Sequence, residues 1–517
     1  MLMKRQMPYK RRHHLLLPSV IILLGAFLLL FDLSAKSLYV DEIIHVRVEN
    51  GSLRQLFEDM TVGIGIHPIL APLIRHLWMR LAGDSDFAVR FVPVMLGLLC
   101  LPILYLLARE IGGHRLAVLS TYCLAISPVF IMYSRIDKYY SQSIFATLLS
   151  SLAFVKLWEE KKRHFWAIYA CSYVVLIYTH YLAALFTILG QNLLVLSFWR
   201  SDRTFAKKWL PAQILLSLTY LPWLLTAFSH TSRIYQRPAA DLTVGWQALV
   251  MKGVYLIYSF NMGETIFPWE LAAIVGFPAL SVVTALGFLF TCSKTYDIWS
   301  KAFAFIATFS LLPAIGGIVL SLFLFPSVPL VDLPNHFLFV LPFYRLTMAG
   351  GLLFLRKQWR WIALLIITIT SAFAFYNYYT ARQFHNPIFI IPSREIACHL
   401  AADAQEGDII FAAPDSGVRY YYEKLDTVAP LFSSTTEASA YIERENAKRV
   451  WLITLGRDAT RGATPTEFIQ WLEQDYLLSY SQGYVEQDAY YRKVKEKLLR
   501  RHVYVYKVLV RLYVRKP

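Results

Sequence analysis

Long apolar blocks separated by short charged loops fill the first 380 residues of the chain. Most blocks run for about 17–25 residues with few charges, the length that a helix needs to cross a bilayer. The block from Phe165 to Trp199 exceeds one span, so we divide it at residues 178–181. The pattern predicts about eleven membrane-spanning helices, at 15–32, 87–108, 115–133, 140–157, 164–180, 182–199, 208–229, 269–291, 302–325, 335–355 and 360–379.

Lysine and arginine concentrate in the N-terminal segment and in every second loop after it. By the positive-inside rule these segments face the cytoplasm, and the alternate loops, including the long loops 33–86 and 230–268, lie outside. An odd number of spans then places residues 381–517 outside as well. We therefore expect a multi-pass protein of the cell (inner) membrane, with a cytoplasmic N-terminus and an extracytoplasmic C-terminal domain in the cell envelope.

The hydrophobic pattern changes after Thr380, where short apolar strands alternate with helical segments. Strands are predicted at 409–411, 450–453 and 503–510, and helices at 394–404, 437–446 and 465–476. This alternation is typical of an α/β domain with a mainly parallel sheet. The predicted organisation is a polytopic α-helical catalytic domain over 1–380 and a soluble extracytoplasmic α/β domain over 381–517.

Composition agrees with this division. Hydrophobic residues make up 56% of the chain and charged residues 17%, against roughly a quarter charged in a soluble protein. The net charge of +16 follows from the cytoplasmic bias of lysine and arginine, and a surface for anionic lipid head groups or phosphates remains the alternative. We do not expect nucleic acid as a partner, because the basic residues lie in short loops between spans.

Two adjacent carboxylates, Asp41 and Glu42, follow the first predicted span by about nine residues. Because adjacent carboxylates repel, one of them can have a raised pKa and act as a base near neutral pH. A solvated acidic pair at the start of a loop is the alternative explanation.

The second external loop, Tyr133 to Tyr140, packs three charges against the end of a span. Asp137 is suited to a metal ion or to orienting a substrate, and Arg135 and Lys138 are suited to phosphate. The alternative is that the three charges pair with one another at the membrane interface.

Further polar residues are expected on the same side of the membrane. His67 lies in the first external loop, His180 ends the fifth span, and Arg90 begins the second span. Each also has a plain structural explanation, as a satisfied histidine or an arginine that reaches the interface. Together with the two loops they form the kind of cluster that an enzyme with a lipid donor needs, in which carboxylates activate a hydroxyl and cations stabilise a departing phosphate.

The order of these motifs resembles the lipid-dependent glycosyltransferases of the GT-C fold, in particular the protein O-mannosyltransferase and aminoarabinose-transferase-like group. The resemblance covers residues 15–355. The elements that carry it are Asp41-Glu42, His67-Pro68, Phe87 to Gly97 with Arg90, Ala125 to Pro128 leading into Tyr133 to Tyr140, Tyr178 to Tyr181, and Leu221-Pro222-Trp223.

The resemblance implies a polyprenyl-phosphate-linked sugar as donor and inversion at the anomeric carbon. Asp41 would then be the catalytic base, Glu42 would support it or bind the acceptor, and Arg90 would hold the carboxylate geometry or the donor phosphate. Asp137 falls where related enzymes place a second acidic group, sometimes a metal ligand. The remaining substrate-binding candidates are His67, Arg135, Lys138, Tyr139 and His180.

The sequence departs from the family where many relatives carry an Arg-Tyr pair at the outer start of a late span. Here the stretch reads Pro334-Asn335-His336-Phe337. His336 is a partial substitute, because a neutral imidazole replaces a guanidinium poorly. The donor phosphate could instead meet Lys138, or a cation of the second long loop: Arg233, Arg237 or Lys252.

The sequence leaves other classes open. The acceptor could be a lipid, a glycan or a protein, and a divalent metal is an option rather than a requirement. A transporter or flippase for a lipid-linked or anionic substrate is the main alternative, but its ionisable residues would be expected near mid-membrane. A structural subunit of an envelope complex is the third possibility, and it would tolerate loss of Asp41, Arg90 and Asp137 together.

Overall fold

The structure is a computed structural model. It forms two compact units, which we call the membrane unit (Met1–Phe31, Gly51–Gly83 and Ala88–Tyr376) and the α/β unit (Asp32–Asn50, Asp84–Phe87 and Asn377–Pro517). The residues that it describes are 13–62, 68–160, 162–200, 202–226, 246–293, 305, 308–317, 334–413, 416–455, 466–486, 488–499 and 507–517.

The membrane unit is helical, as predicted. Among the described residues, four helices are long and apolar enough to cross a membrane: Asp86–Ala125, Leu271–Leu289, Pro334–Phe354 and Lys357–Tyr379. The total of about eleven spans stays a prediction. The helices of this unit, two of which run on into the α/β unit, are His13–Leu30, Leu53–Val62, Leu70–Ala82, Asp86–Ala125, Pro128–Ser134, Tyr140–Glu160, Arg163–Ile177, Tyr181–Ser197, Arg203–Leu218, Trp246–Met262, Leu271–Ser293, the 3-10 helix Pro334–Val340, Leu341–Phe354 and Lys357–Tyr379.

Two helix boundaries of the membrane unit matter for the site. The helix Asp86–Ala125 is interrupted at Gly113, whose φ of 84° suits glycine, and a new short helix begins at Pro128, where proline is favoured in a first turn. The predicted division at residues 178–181 is confirmed, because one helix ends at Ile177 and the next begins at Tyr181.

Close helix packing is visible where two late helices meet. A Cβ added to Gly351 would lie 1.8 Å from the carbonyl oxygen of Val283, and one added to Gly287 would lie 2.0 Å from that of Thr347. Only glycine permits this approach, which is the way in which small residues bring helices together in membranes. The pair of helices Leu271–Ser293 and Leu341–Phe354 therefore forms a tight part of the membrane unit.

The α/β unit contains one five-stranded sheet with the order β2-β1-β3-β5-β4. β1 runs parallel to β2 and β3, whereas β5 runs antiparallel to β3 and β4. The prediction of a mainly parallel sheet was therefore wrong, because it overlooked β4, which pairs with β5 and turns that half of the sheet antiparallel. The strands are β1 Ile409–Ala412, β2 Leu431–Phe432, β3 Arg449–Leu455, β4 Tyr476–Glu486 and β5 Lys507–Arg515.

Helices pack on this sheet and bury its apolar side chains. Ile409, Phe411, Val450 and Leu452 of the strands contact Ile442 and other helical residues in one core. The helix that carries Asp41 and Glu42 also belongs to this unit, although it lies more than 300 residues earlier in the chain. The helices of the unit are Val40–Glu49, the 3-10 helix Pro387–Ile390, Ser393–Asp403, Val418–Tyr422, Thr435–Glu445, Thr466–Asp475 and Ala489–Leu499.

Candidate active site

The two adjacent carboxylates lie in the first turn of the helix Val40–Glu49, where the helix dipole favours negative charge. Glu42 is fully buried, and its Oε2 accepts a hydrogen bond of 3.1 Å from the backbone N–H of Tyr39. This is the reciprocal half of a capping box, so Glu42 stabilises the start of its own helix. Asp41 is only partly buried. The structure thus gives the two carboxylates different environments, with Glu42 committed to the helix start.

Asp137 forms a buried ion pair in the membrane unit. Its Oδ1 lies 3.1 Å from Nε of Arg75, and only 1% and 7% of the two side chains are exposed. Arg75 belongs to the helix Leu70–Ala82, within the first long external loop that the sequence predicted. The burial of Arg75 and His76 identifies the inner face of this helix, and the pair with Asp137 was not predicted.

Three aromatic and imidazole rings from distant parts of the chain meet in the membrane unit. The ring of Tyr139 stacks on His180 with centroids 4.4 Å apart and an interplanar angle of 13°. The hydroxyl of Tyr139 lies 3.4 Å from Nδ1 of His336. The structure thus brings together three residues that the sequence proposed separately as substrate-binding candidates. We call Tyr139, His180 and His336 the ring cluster.

His180 caps the helix Tyr181–Ser197, where its Nδ1 accepts a hydrogen bond from the backbone N–H of Ala183. A ring nitrogen that accepts a hydrogen bond carries no proton, so this contact is made by the neutral imidazole. The neutral ring can exchange hydrogen bonds with a sugar but adds no positive charge for a phosphate.

The cations of the predicted site differ in exposure. Arg90 and Arg135 are buried, and Nη1 of Arg135 lies 3.4 Å from the carbonyl oxygen of Leu28. Lys138 is partly exposed, with Nζ 5.8 Å from the ring centroid of Tyr140. The remaining candidates, His67, Arg233, Arg237 and the side chain of Lys252, lie outside the described residues.

Sequence reasoning missed Arg345. This residue is 2% exposed, and its Nη2 donates a hydrogen bond of 2.9 Å to Oγ of Ser127 and another to the carbonyl oxygen of Phe260. It lies in the middle of the predicted span 335–355. An ionisable residue inside a span is a signal of function in its own right, and the sequence interpretation overlooked it when it treated the spans as nearly free of charge.

The described residues around Asp137 do not suit a divalent metal. The carboxylate already pairs with the guanidinium of Arg75, whose positive charge disfavours a cation beside it. Within the described ranges, no group of three or more histidine, cysteine, aspartate or glutamate side chains could hold a metal ion.

Residues 66–225 match the family model described as dolichyl-phosphate-mannose-protein mannosyltransferase. The fold is similar to ArnT from Cupriavidus metallidurans in the apo state, with a TM-score of 0.56 at 10% identity, over 96% of this chain and 97% of that chain. ArnT bound to undecaprenyl phosphate gives a TM-score of 0.53 at 10% identity, over the same 96% and 97%.

A more distant similarity is to the oligosaccharyltransferase AglB from Archaeoglobus fulgidus, with a TM-score of 0.48 at 12% identity, over 86% of this chain and 70% of that chain. Comparison with curated protein sequences gives no match. The resemblance expected from the motifs is confirmed: the chain has the GT-C fold and is similar to the polyprenyl-phosphate-sugar-dependent membrane glycosyltransferases of the protein O-mannosyltransferase and aminoarabinose-transferase-like group.

Proposed function

We propose that the protein is an inverting glycosyltransferase that moves a sugar from a polyprenyl phosphate to a lipid, glycan or protein acceptor outside the cytoplasm. The observation that carries the proposal is the family match over residues 66–225, because this segment contains Arg90, the loop from Tyr133 to Tyr140, and His180. ArnT, which shares the fold, binds undecaprenyl phosphate, and we assign a lipid phosphate of the same class as the carrier here.

In the proposed reaction, the carboxylate of Asp41 takes the proton from a hydroxyl or amine of the acceptor. The acceptor atom then attacks the anomeric carbon of the sugar as the bond from that carbon to the phosphate oxygen breaks. The electron pair of that bond leaves with the polyprenyl phosphate. Attack opposite the departing phosphate inverts the configuration of the anomeric carbon. Asp41 is better suited to this role than Glu42, whose Oε2 already accepts the N–H of Tyr39.

The membrane unit supplies the groups that suit a phospho-sugar. We assign Arg90, Arg135 and Lys138 to the phosphate, where positive charge stabilises the negative charge that develops on the leaving group. We assign the ring cluster to the sugar, because flat rings with hydrogen-bonding edges suit the apolar face and the hydroxyls of a pyranose or furanose. Asp137 orients Arg75 and contributes to the site through that pair.

The proposed site is tested with the full chain in lipid nanodiscs. Polyprenyl-phosphate mannose and polyprenyl-phosphate aminoarabinose are supplied separately, together with a lipid and glycan extract of the host. We expect release of polyprenyl phosphate and a sugar-modified acceptor whose anomeric configuration is the opposite of the donor's, as observed by NMR. Retained configuration would contradict the single displacement, and transfer at the wild-type rate by Asp41→Asn would remove Asp41 from the mechanism.

A second candidate is a transporter or flippase for a lipid-linked or anionic substrate, and Arg345 favours it. This buried guanidinium hydrogen-bonds neutral acceptors, and a charged residue within a span is typical of a translocation pathway. The two functions separate in one experiment. A flippase moves a fluorescent polyprenyl-phosphate sugar across a liposome bilayer without breaking the sugar–phosphate bond, whereas a transferase releases polyprenyl phosphate.

A further inference from the structure

The backbone just before the Asp41 helix is bound by one arginine of the C-terminal part of the chain. Nη1 of Arg394 donates to the carbonyl oxygen of Ser34 at 3.1 Å, and Nη2 donates to that of Ala35 at 2.8 Å. The backbone N–H of Arg394 also donates to Oγ of Ser37 at 3.1 Å, and that hydroxyl donates to Oε2 of Glu395 at 3.0 Å. A planar guanidinium with several donors is well suited to fixing irregular backbone in this way.

A buried tyrosine binds the next residue of the same segment. The hydroxyl of Tyr421 accepts a hydrogen bond of 2.7 Å from the backbone N–H of Leu38. The same hydroxyl lies 3.0 and 2.9 Å from the two carboxylate oxygens of Asp86, and Oδ2 of Asp86 accepts from Nη1 of Arg394 at 3.0 Å. Asp86 therefore links Tyr421 to Arg394, so that the two residues hold the backbone of residues 34–38 through one hydrogen-bond network.

The body of the helix makes further contacts within the α/β unit. Gly417 has a φ of 71°, and a Cβ added there would lie 2.8 Å from Cδ1 of Ile43, so the loop that follows β1 lies directly against the helix. Nη2 of Arg47 lies 3.6 Å from Oε2 of Glu423. Ligands of open α/β sheets bind in the loops that follow the carboxyl ends of parallel strands, and here Gly417, five residues after the end of β1, lies against the helix that carries Asp41.

We infer that Arg394 and Tyr421 are positioning residues for Asp41. Through Asp86 and the backbone of residues 34–38, they fix the start of the helix in whose first turn Asp41 lies. A general base must lie within hydrogen-bond reach of the proton that it takes, so a shift of the helix start reduces turnover without removing any group that contacts the donor. The inference rests on the proposed role of Asp41 as the base.

Amide hydrogen exchange tests the positions of these residues without any assumption about the sugar. Tyr421→Phe in the full chain removes the acceptor of the Leu38 amide, so exchange in residues 34–45 should rise by about fivefold to tenfold. The matched control is Tyr422→Phe, which removes a hydroxyl of the same short helix that donates to the carbonyl oxygen of Ala429 at 3.0 Å. Equal exchange of residues 34–45 in both variants would overturn the inference.

Transfer kinetics with polyprenyl-phosphate mannose and polyprenyl-phosphate aminoarabinose test the consequence for the reaction. In Tyr421→Phe and Arg394→Gln, kcat should fall by up to about 100-fold with the donor KM unchanged. Arg394→Lys, which keeps the charge but not the planar set of donors, should regain part of the loss. Tyr422→Phe should keep the wild-type kcat.

Two results would separate the inference from the proposed function. If Asp41→Asn is inactive while Tyr421→Phe and Arg394→Gln turn over at the wild-type rate, the positioning role is wrong and the base assignment stands. If Asp41→Asn transfers sugar at the wild-type rate, the proposed function itself fails, and the positioning role fails with it.

Discussion

Substitutions in the buried ion pair of Arg75 and Asp137 can show whether Asp137 has only a structural role or also contributes to sugar transfer. Asp137→Asn removes one charge and leaves the guanidinium of Arg75 behind, in a place where only 7% of that side chain is exposed. Water screens such a charge weakly, so the free energy of unfolding should fall by about 3–5 kcal/mol. This loss corresponds to a decrease of more than about a hundredfold in the folding equilibrium constant.

Two further variants make the test specific. Arg75→Met combined with Asp137→Leu removes both charges and should recover most of the lost stability, because a buried pair replaced by apolar groups is close to neutral. Glu58→Gln is the matched control, since Glu58 pairs with Arg54 at 2.7 Å with side chains 56% and 88% exposed. That variant should cost no more than about 0.5 kcal/mol.

Unfolding by SDS in mixed micelles measures the stability of each variant, and sugar transfer is measured in parallel. If Asp137 contributes to the site, the double variant should be stable and inactive. If the pair is only structural, the double variant should be stable and active. A loss in Asp137→Asn no larger than the loss in Glu58→Gln would refute the conclusion that the pair is buried and coupled.

Three further predictions concern single groups. Tyr139→Phe keeps the ring that stacks on His180, so the rate of sugar transfer should fall less than about tenfold. Tyr139→Ala removes the ring and should lower the rate further, and equal rates in the two variants would contradict the stacking role. Glu42→Gln keeps the oxygen that caps the helix, so its thermal stability should match that of the wild type. Glu42→Ala should lose about 1 kcal/mol of stability, and equal melting temperatures of the two variants would exclude the cap. Burial alone would raise the pKa of Asp84, but the hydrogen bond and charge of Lys424 outweigh it and lower that pKa. The pairing therefore stabilises the protein above the unfolded pKa of about 3.9, and this contribution is lost as the pH falls below that value. The loss is less than about 1 kcal/mol, because the pair is half-exposed. In Asp84→Asn, the free energy of unfolding should fall less steeply with decreasing pH in this range than in the wild type, and an unchanged slope would contradict the pairing.

The sequence predicted those elements whose signal is local. The helix break near residues 178–181 follows from the length of the apolar block, since one span cannot hold it. The strands β1 and β3 are short apolar runs that read as buried strands. β4 was missed because Ser479, Ser481 and Gln482 dilute its apolar alternation, and its pairing with β5 depends on residues that lie further along the chain.

The site was predictable in residue type but not in pairing. The motifs identified Asp41, Asp137 and Tyr139, yet a sequence does not show that Asp137 contacts Arg75, 62 residues away in the chain. The capping role of Glu42 was not readable, because Tyr39 occupies the place of the serine or threonine that precedes the glutamate of a capping box by three residues. Arg345 was readable as a charge within a span, and only the structure shows that it bonds Ser127.

The central claim, that Asp41 is the base of a sugar transfer from a polyprenyl phosphate, is tested most directly by mass spectrometry of the host's glycolipids and glycans. A strain lacking the gene is complemented with the wild-type chain or with Asp41→Asn, both confirmed as folded and inserted. The account predicts a sugar modification that disappears with the gene, returns with the wild-type chain and stays absent with Asp41→Asn. Full return of that modification with Asp41→Asn would contradict the account.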